Sequence, residues 1–85
     1  MVNLWIKLKK EDKILADAVE SIEKINTKNL HNVLADFAEK FDITTPILLS
    51  SHIDALVNFN RTVLLPRDFI DIGDFTCLEI ERILN

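Results

Sequence analysis

Hydrophobic and polar residues alternate from the start of the chain. Leu4, Ile6 and Leu8 fall on one side of an extended backbone; Asn3, Trp5, Lys7 and Lys9 fall on the other. Successive side chains of a strand point to opposite faces, so residues 2–9 are predicted to form a half-buried strand. The polar stretch Lys10-Glu11-Asp12-Lys13 then suits a hairpin loop. Residues 13–25 fit two descriptions. Ile14, Leu15, Ala18, Val19, Ile22 and Ile25 make a helical stripe. Ile14, Ala16 and Ala18 make a strand face, with a bulge required before Val19. A short polar loop directly after a strand favours a hairpin, so a second strand is expected here.

Residues 27–41 carry the clearest helical period. Leu30, Val33, Leu34, Phe37, Ala38 and Phe41 recur at three- and four-residue steps. Asn26 or Thr27 can cap this helix by accepting a bond from a free backbone N–H. With Asn26 as cap, Ile25 and Leu30 sit where a hydrophobic staple forms, and Asp42 marks the exit. Thr45-Pro46 enforces an extended entry, and Ile47-Leu48-Leu49 suits a short buried strand. Ser51-His52-Ile53-Asp54 reads as a capping box opening a short helix to Phe59; the alternative is one helix from Pro46 with Thr45 as cap. An extended piece at Thr62–Leu65, a turn at Pro66–Asp68 and a loop through Gly73-Asp74 follow. Residues 75–83 alternate again, Leu78 and Ile80 against Cys77, Glu79 and Glu81.

The two terminal strands match. Leu4, Ile6 and Leu8 would lie beside Leu78 and Ile80 on the inner face, and Lys7 and Lys9 beside Glu79 and Glu81 on the outer face. Opposite charges on neighbouring strands contribute roughly 0.2–1 kcal/mol per pair. The intervening helix would supply the long crossover that parallel pairing demands. The expected fold is α+β: one domain over residues 1–85, a small mixed β-sheet packed on one principal helix, in β-grasp-like order.

Composition narrows the class. Hydrophobic residues at 48% and charged residues at 28% describe a folded globular chain, and 9.8 kDa is enough for one small core. No apolar run exceeds three residues, against about 20 for a membrane-spanning helix. Met1-Val2-Asn3-Leu4-Trp5 lacks the basic and apolar regions of a signal peptide. Cys77 is the single cysteine, so no disulfide forms within the chain and no cysteine cluster can hold a metal. A cytoplasmic location is expected. The net charge of −4 argues against a duplex nucleic-acid binder, because neutralising phosphates supplies most non-specific affinity.

The order hairpin, helix, short strand, irregular segment, last strand beside the first resembles the ubiquitin-like β-grasp. Leu65-Pro66-Arg67-Asp68-Phe69-Ile70 is similar to the short turn before the last strand of ubiquitin. The ending Ile83-Leu84-Asn85 lacks the Gly-Gly tail of the conjugated and sulfur-carrying members, and the four cysteines of the iron–sulfur members are absent. The chain also resembles a group of small bacterial proteins of unknown function. Trp5-Ile6-Lys7, Phe41-Asp42-Ile43, Leu49, His52, Phe59 and Thr62 carry that resemblance, with Asp68-Phe69-Ile70 and Phe75 with Leu78-Glu79-Ile80-Glu81 at the end. It implies a small bacterial protein and no assigned activity.

Candidate chemistry is sparse. One glycine, Gly73, cannot build a phosphate-cradling loop. His52, near Ser50, Ser51 and Asp54, could act as a general base, but a capping role is the simpler reading; His31 falls on the exposed side of the main helix. Asp68, Asp71 and Asp74 recur every third residue and could offer oxygen ligands to a divalent ion, but solvated acids of a loop and strand edge are the simpler reading. Cys77 stands near Glu79 and Glu81, carboxylates that disfavour a nucleophilic thiolate. Trp5 is the distinctive residue. It falls on the outer face with Lys7, Lys9, Leu15, Val19, Glu79 and Glu81, an apolar group rimmed by charge. Lysine stems or a bulge could instead cover it. The function expected is a non-enzymatic protein-interaction module that binds a protein partner or its own copy as a homodimer, without a cofactor. The alternatives are a metal-dependent hydrolase using His52 with Asp68, Asp71 and Asp74, and a single-strand nucleic-acid binder using Trp5, Lys7 and Lys9.

Overall fold

A computed structural model describes residues 1–69 and 75–84. The alternation at the N-terminus produces strand β1 (Val2–Lys10), whose Leu4, Ile6 and Leu8 are all buried. The polar interruption is a tight turn with Glu11 at φ 56°, and β2 (Lys13–Ile22) completes the hairpin. The tip is tied to the other end of the chain, because Glu11 N–H donates to Thr76 Oγ1 at 2.7 Å. β2 carries a bulge, but not before Val19. Leu8 lies opposite Ala16 and Lys9 opposite Ile14, so Leu15 is the extra residue. Ala16 and Ala18 therefore stay on the inner face as expected, while Ile14 leaves it for the side of Lys9.

Helix α1 (Thr27–Lys40) matches its period. Asn26 is the cap, its side chain accepting from Asn29 N–H at 2.7 Å, and Asp42 at φ 56° takes the left-handed conformation that ends the helix. Leu30, Val33, Leu34, Phe37 and Ala38 form its buried stripe. Ile47-Leu48-Leu49 is not a strand: Ile47 and Leu49 are exposed and the segment has no partner strand among the described residues. Helix α2 (Ser50–Phe59) starts one residue before the expected cap Ser51. Its N-cap is Leu49, which has no side-chain acceptor. Only the reciprocal half of a capping box is made, with His52 Nδ1 accepting Leu49 N–H at 3.0 Å. Asn60, at φ 61°, turns the chain directly into β3 (Arg61–Leu64). A single 3-10 turn at Pro66–Asp68 follows, and β4 (Cys77–Arg82) ends the fold. The expected loop residues Gly73 and Asp74, with Asp71, lie outside the described residues.

The four strands form one sheet in the order β2-β1-β4-β3, so the last strand does lie beside the first. The α+β class and the small sheet packed on a principal helix hold. The mixed sheet does not, because all three strand pairs, including β1 with β4, are antiparallel. A single helical crossover would have delivered β4 parallel to β1. The segment 41–60, with the additional helix α2, makes one more traverse of the sheet and reverses the strands that follow. One core results: Leu4, Ile6, Leu8, Leu78 and Ile80 from the sheet meet Leu30, Leu34 and Phe37 of α1 and Leu56 of α2. Both helices thus occupy the inner face. No helix among the described residues is long and apolar enough to cross a membrane.

Candidate interaction surface

The outer face is set by register. β1 contributes Asn3, Trp5, Lys7 and Lys9. Opposite them on β4 stand Glu81 to Trp5, Glu79 to Lys7 and Cys77 to Lys9. On β2, Val19 is opposite Trp5 and Asp17 opposite Lys7. β3 adds Arg61 opposite Glu81 and Val63 opposite Glu79. The face thus has an ionic centre on β1, β4 and β3, and an apolar flank on β2.

Glu79 is the hub. Lys7 Nζ lies 2.6 Å from its carboxylate and Lys9 Nζ 3.4 Å, while Arg61 Nε donates to it at 2.5 Å and Arg61 Nη2 adds a second contact. Lys7 also reaches Glu81 at 3.5 Å. Lys7 and Glu79 are 5% and 4% exposed, so this pair is buried on a face that no helix covers. Desolvation by itself would push the Glu79 carboxyl up. Hydrogen bonds from Lys7 and Arg61, with their positive charges, outweigh it and hold its pKa down at about 2 against an ordinary 4.5. The charges around Trp5 also balance: Lys7, Lys9 and Arg61 against Asp17, Glu79 and Glu81.

Trp5 is held within this network. Its Nε1–H donates to Asp17 Oδ2 at 2.9 Å, and Lys7 Nζ stands 4.0 Å from the ring centroid, a cation–π contact. The ring is half-buried and fixed from two sides, so neither full exposure nor core burial describes it. Beside it, Val19 is 61% exposed, Leu15 49% and Ile14 47%. Of the expected contact residues, the structure gathers Trp5, Lys7, Lys9, Val19, Glu79 and Glu81 on one face, with Leu15 at the bulge that borders it. Arg61, Asp17 and Ile14 were missed. Arg61 was legible: Arg61 and Val63 alternate with Thr62 and Leu64, the signature of a strand that begins one residue before the expected Thr62.

The other candidates occupy a different region. His52 is buried, and its Nε2 faces Asp68 Oδ2 at 3.5 Å. The same carboxylate oxygen accepts Leu65 N–H at 2.9 Å, so the pair joins the starts of α2 and the 3-10 turn. Since His52 Nδ1 accepts a backbone N–H, its proton sits on Nε2, directed at Asp68. No group of three His, Cys, Asp or Glu side chains among the described residues could hold a metal; Asp71 and Asp74 lie outside them. His31 is exposed on α1, and Cys77 is a partly exposed free thiol. No family model, no curated protein and no solved structure matches this chain.

Proposed function

We propose that the protein is a non-enzymatic interaction module that self-associates through the outer face of its sheet. The observation that carries this reading is the apolar flank of Ile14, Leu15 and Val19 beside the fixed Trp5 ring, on the face opposite both helices. Pre-ordered aromatic anchors lose little side-chain freedom on contact, and water-exposed apolar surface beside them supplies the driving force. The internally balanced charges favour contact with a like surface, since a neutral face brings no net repulsion to its own copy. The same balance speaks against single-strand nucleic acid as the occupant. Lys7 is committed to Glu79 and Glu81 and sits over the Trp5 ring that a base would need.

Sedimentation across a concentration series tests this. Wild type is expected to dimerise, and Val19→Glu to remain monomeric with unchanged far-ultraviolet dichroism, because Val19 is 61% exposed in the single chain. Trp5 fluorescence should shift to the blue on dimerisation. A wild type that stays monomeric throughout, or a dimer indifferent to Val19→Glu, would rule out this face as the contact.

A further inference from the structure

A second surface lies on the far side of the sheet. Among the described residues β3 is an edge strand, and α2 runs beside it, joined by the left-handed Asn60. Ser51, Ala55 and Phe59 recur every four residues and put one side of α2 along the strand, with an open cavity of about 520 Å³ between them. The hydrogen-bond phase of the strand is fixed at its start. Arg82 N–H donates to Asn60 O at 2.8 Å, so alternation turns the backbone groups of Thr62 and Leu64 towards β4. The N–H and C=O of Arg61 and Val63 consequently face the open edge, with a groove ready beside them.

The groove has a sign. Among the described residues no Asp or Glu lines it, in a chain of net charge −4. Arg67 lines it, is exposed, and forms no ion pair among the described residues. Ser51 and Thr62 add hydroxyls, and the first turn of α2 holds no acidic residue to oppose its positive end. Phe59 stands at the end of the groove, 77% exposed. We infer that this groove binds an extended acidic segment of a partner protein. The segment adds as a fifth strand to the Arg61–Leu64 edge and directs its carboxylates at Arg67 and Ser51. Main-chain bonds to Arg61 and Val63 supply the docking, and the basic lining supplies the choice of acidic side chains. This site lies at the β3 edge, at the other end of the sheet from the apolar flank on β2 that carries the outer-face contact.

The test uses a fluorescein-labelled peptide of alternating Val and Glu, followed by fluorescence anisotropy and by amide exchange at Val63. Saturable binding is expected, weakened by at least about tenfold in Arg67→Glu and reduced by salt. The Val63 amide should become protected. The same peptide N-methylated on its backbone should not bind, a control that leaves the protein unaltered. Val19→Glu should bind normally, which separates this site from the dimer. Equal binding to wild type and Arg67→Glu, equal binding of a Val/Gln peptide, or protection appearing on β2 would overturn the inference. So would resonance shifts at Arg67 with inorganic phosphate and none with the peptide, which would make this a small-anion pocket.

Discussion

Replacing Glu79 by Gln removes one charge and almost no volume from the centre of the outer face. Its effect follows from the ionisation of that carboxylate. In the folded chain the pKa is about 2, against 4.5 for the same group in water. At about 1.36 kcal/mol per pH unit the difference is worth about 3 kcal/mol at neutral pH. The sign is that of a depressed acid: the contribution is complete above 4.5 and disappears as pH falls towards 2. Glu79→Gln should therefore destabilise the protein by about 3 kcal/mol at pH 7, and by less than about 1 kcal/mol near pH 2, where wild-type Glu79 is itself half-neutral. That loss is a large share of the roughly 4–13 kcal/mol expected for a domain of this size. Urea unfolding of both proteins between pH 7 and pH 2 measures it, and the difference between the two curves isolates Glu79 from the other carboxylates. Parallel curves over this range would refute the reasoning, because they would mean that Lys7 and Arg61 do no more for Glu79 than water does.

Two further outcomes can be checked at small cost. Phe37→Ala should lower stability by about 3–5 kcal/mol in urea unfolding, since Phe37 is 2% exposed and its ring centroid lies 4.6 Å from that of Phe41; a loss below about 1 kcal/mol would place the core elsewhere. Calorimetric titration with Mg²⁺, Mn²⁺ and Zn²⁺ should show no stoichiometric micromolar binding, and binding abolished by His52→Ala or Asp71→Ala would restore the metal-dependent hydrolase reading.

What was legible in the chain divides by the range of the interactions involved. α1 could be read to within a residue because its stripe, its Asn26 cap and its Asp42 exit all lie within a few residues of one another. β1 was legible for the same reason. α2 was harder. The pattern Ser51-x-x-Asp54 satisfies the rule for a capping box, yet the helix begins earlier with a leucine at its cap. The missing acceptor is replaced by His52 at the third helical position, which Asp68, sixteen positions further on, helps to orient. A local rule cannot see a partner at that distance. Ile47-Leu48-Leu49 failed likewise: three apolar residues after a proline suit a strand, but the segment joins no sheet edge among the described residues.

Strand direction was the largest error, and it left the composition of the outer face unchanged. Side-chain alternation has period two, so reversing a strand keeps every residue on its face. Lys7, Lys9, Glu79 and Glu81 share the outer face whether β4 runs parallel or antiparallel to β1. What reversal changes is which of them meet. With Lys7 opposite Glu79, a parallel pair would set Lys9 opposite Glu81, giving two separate ion pairs. The antiparallel pair sets Lys9 opposite Cys77 and Glu81 opposite Trp5. Lys9 is then left to lean towards Glu79, and Lys7 to share itself between Glu79 and Glu81. Two ladder pairs become one hub, and Arg61 from β3 closes it. The hub holds the charges inward and ties Lys7 to the Trp5 ring. The strand direction, which the pattern could not reveal, thus leaves the charge of the face as it was and gathers its ion pairs into one hub against the Trp5 ring.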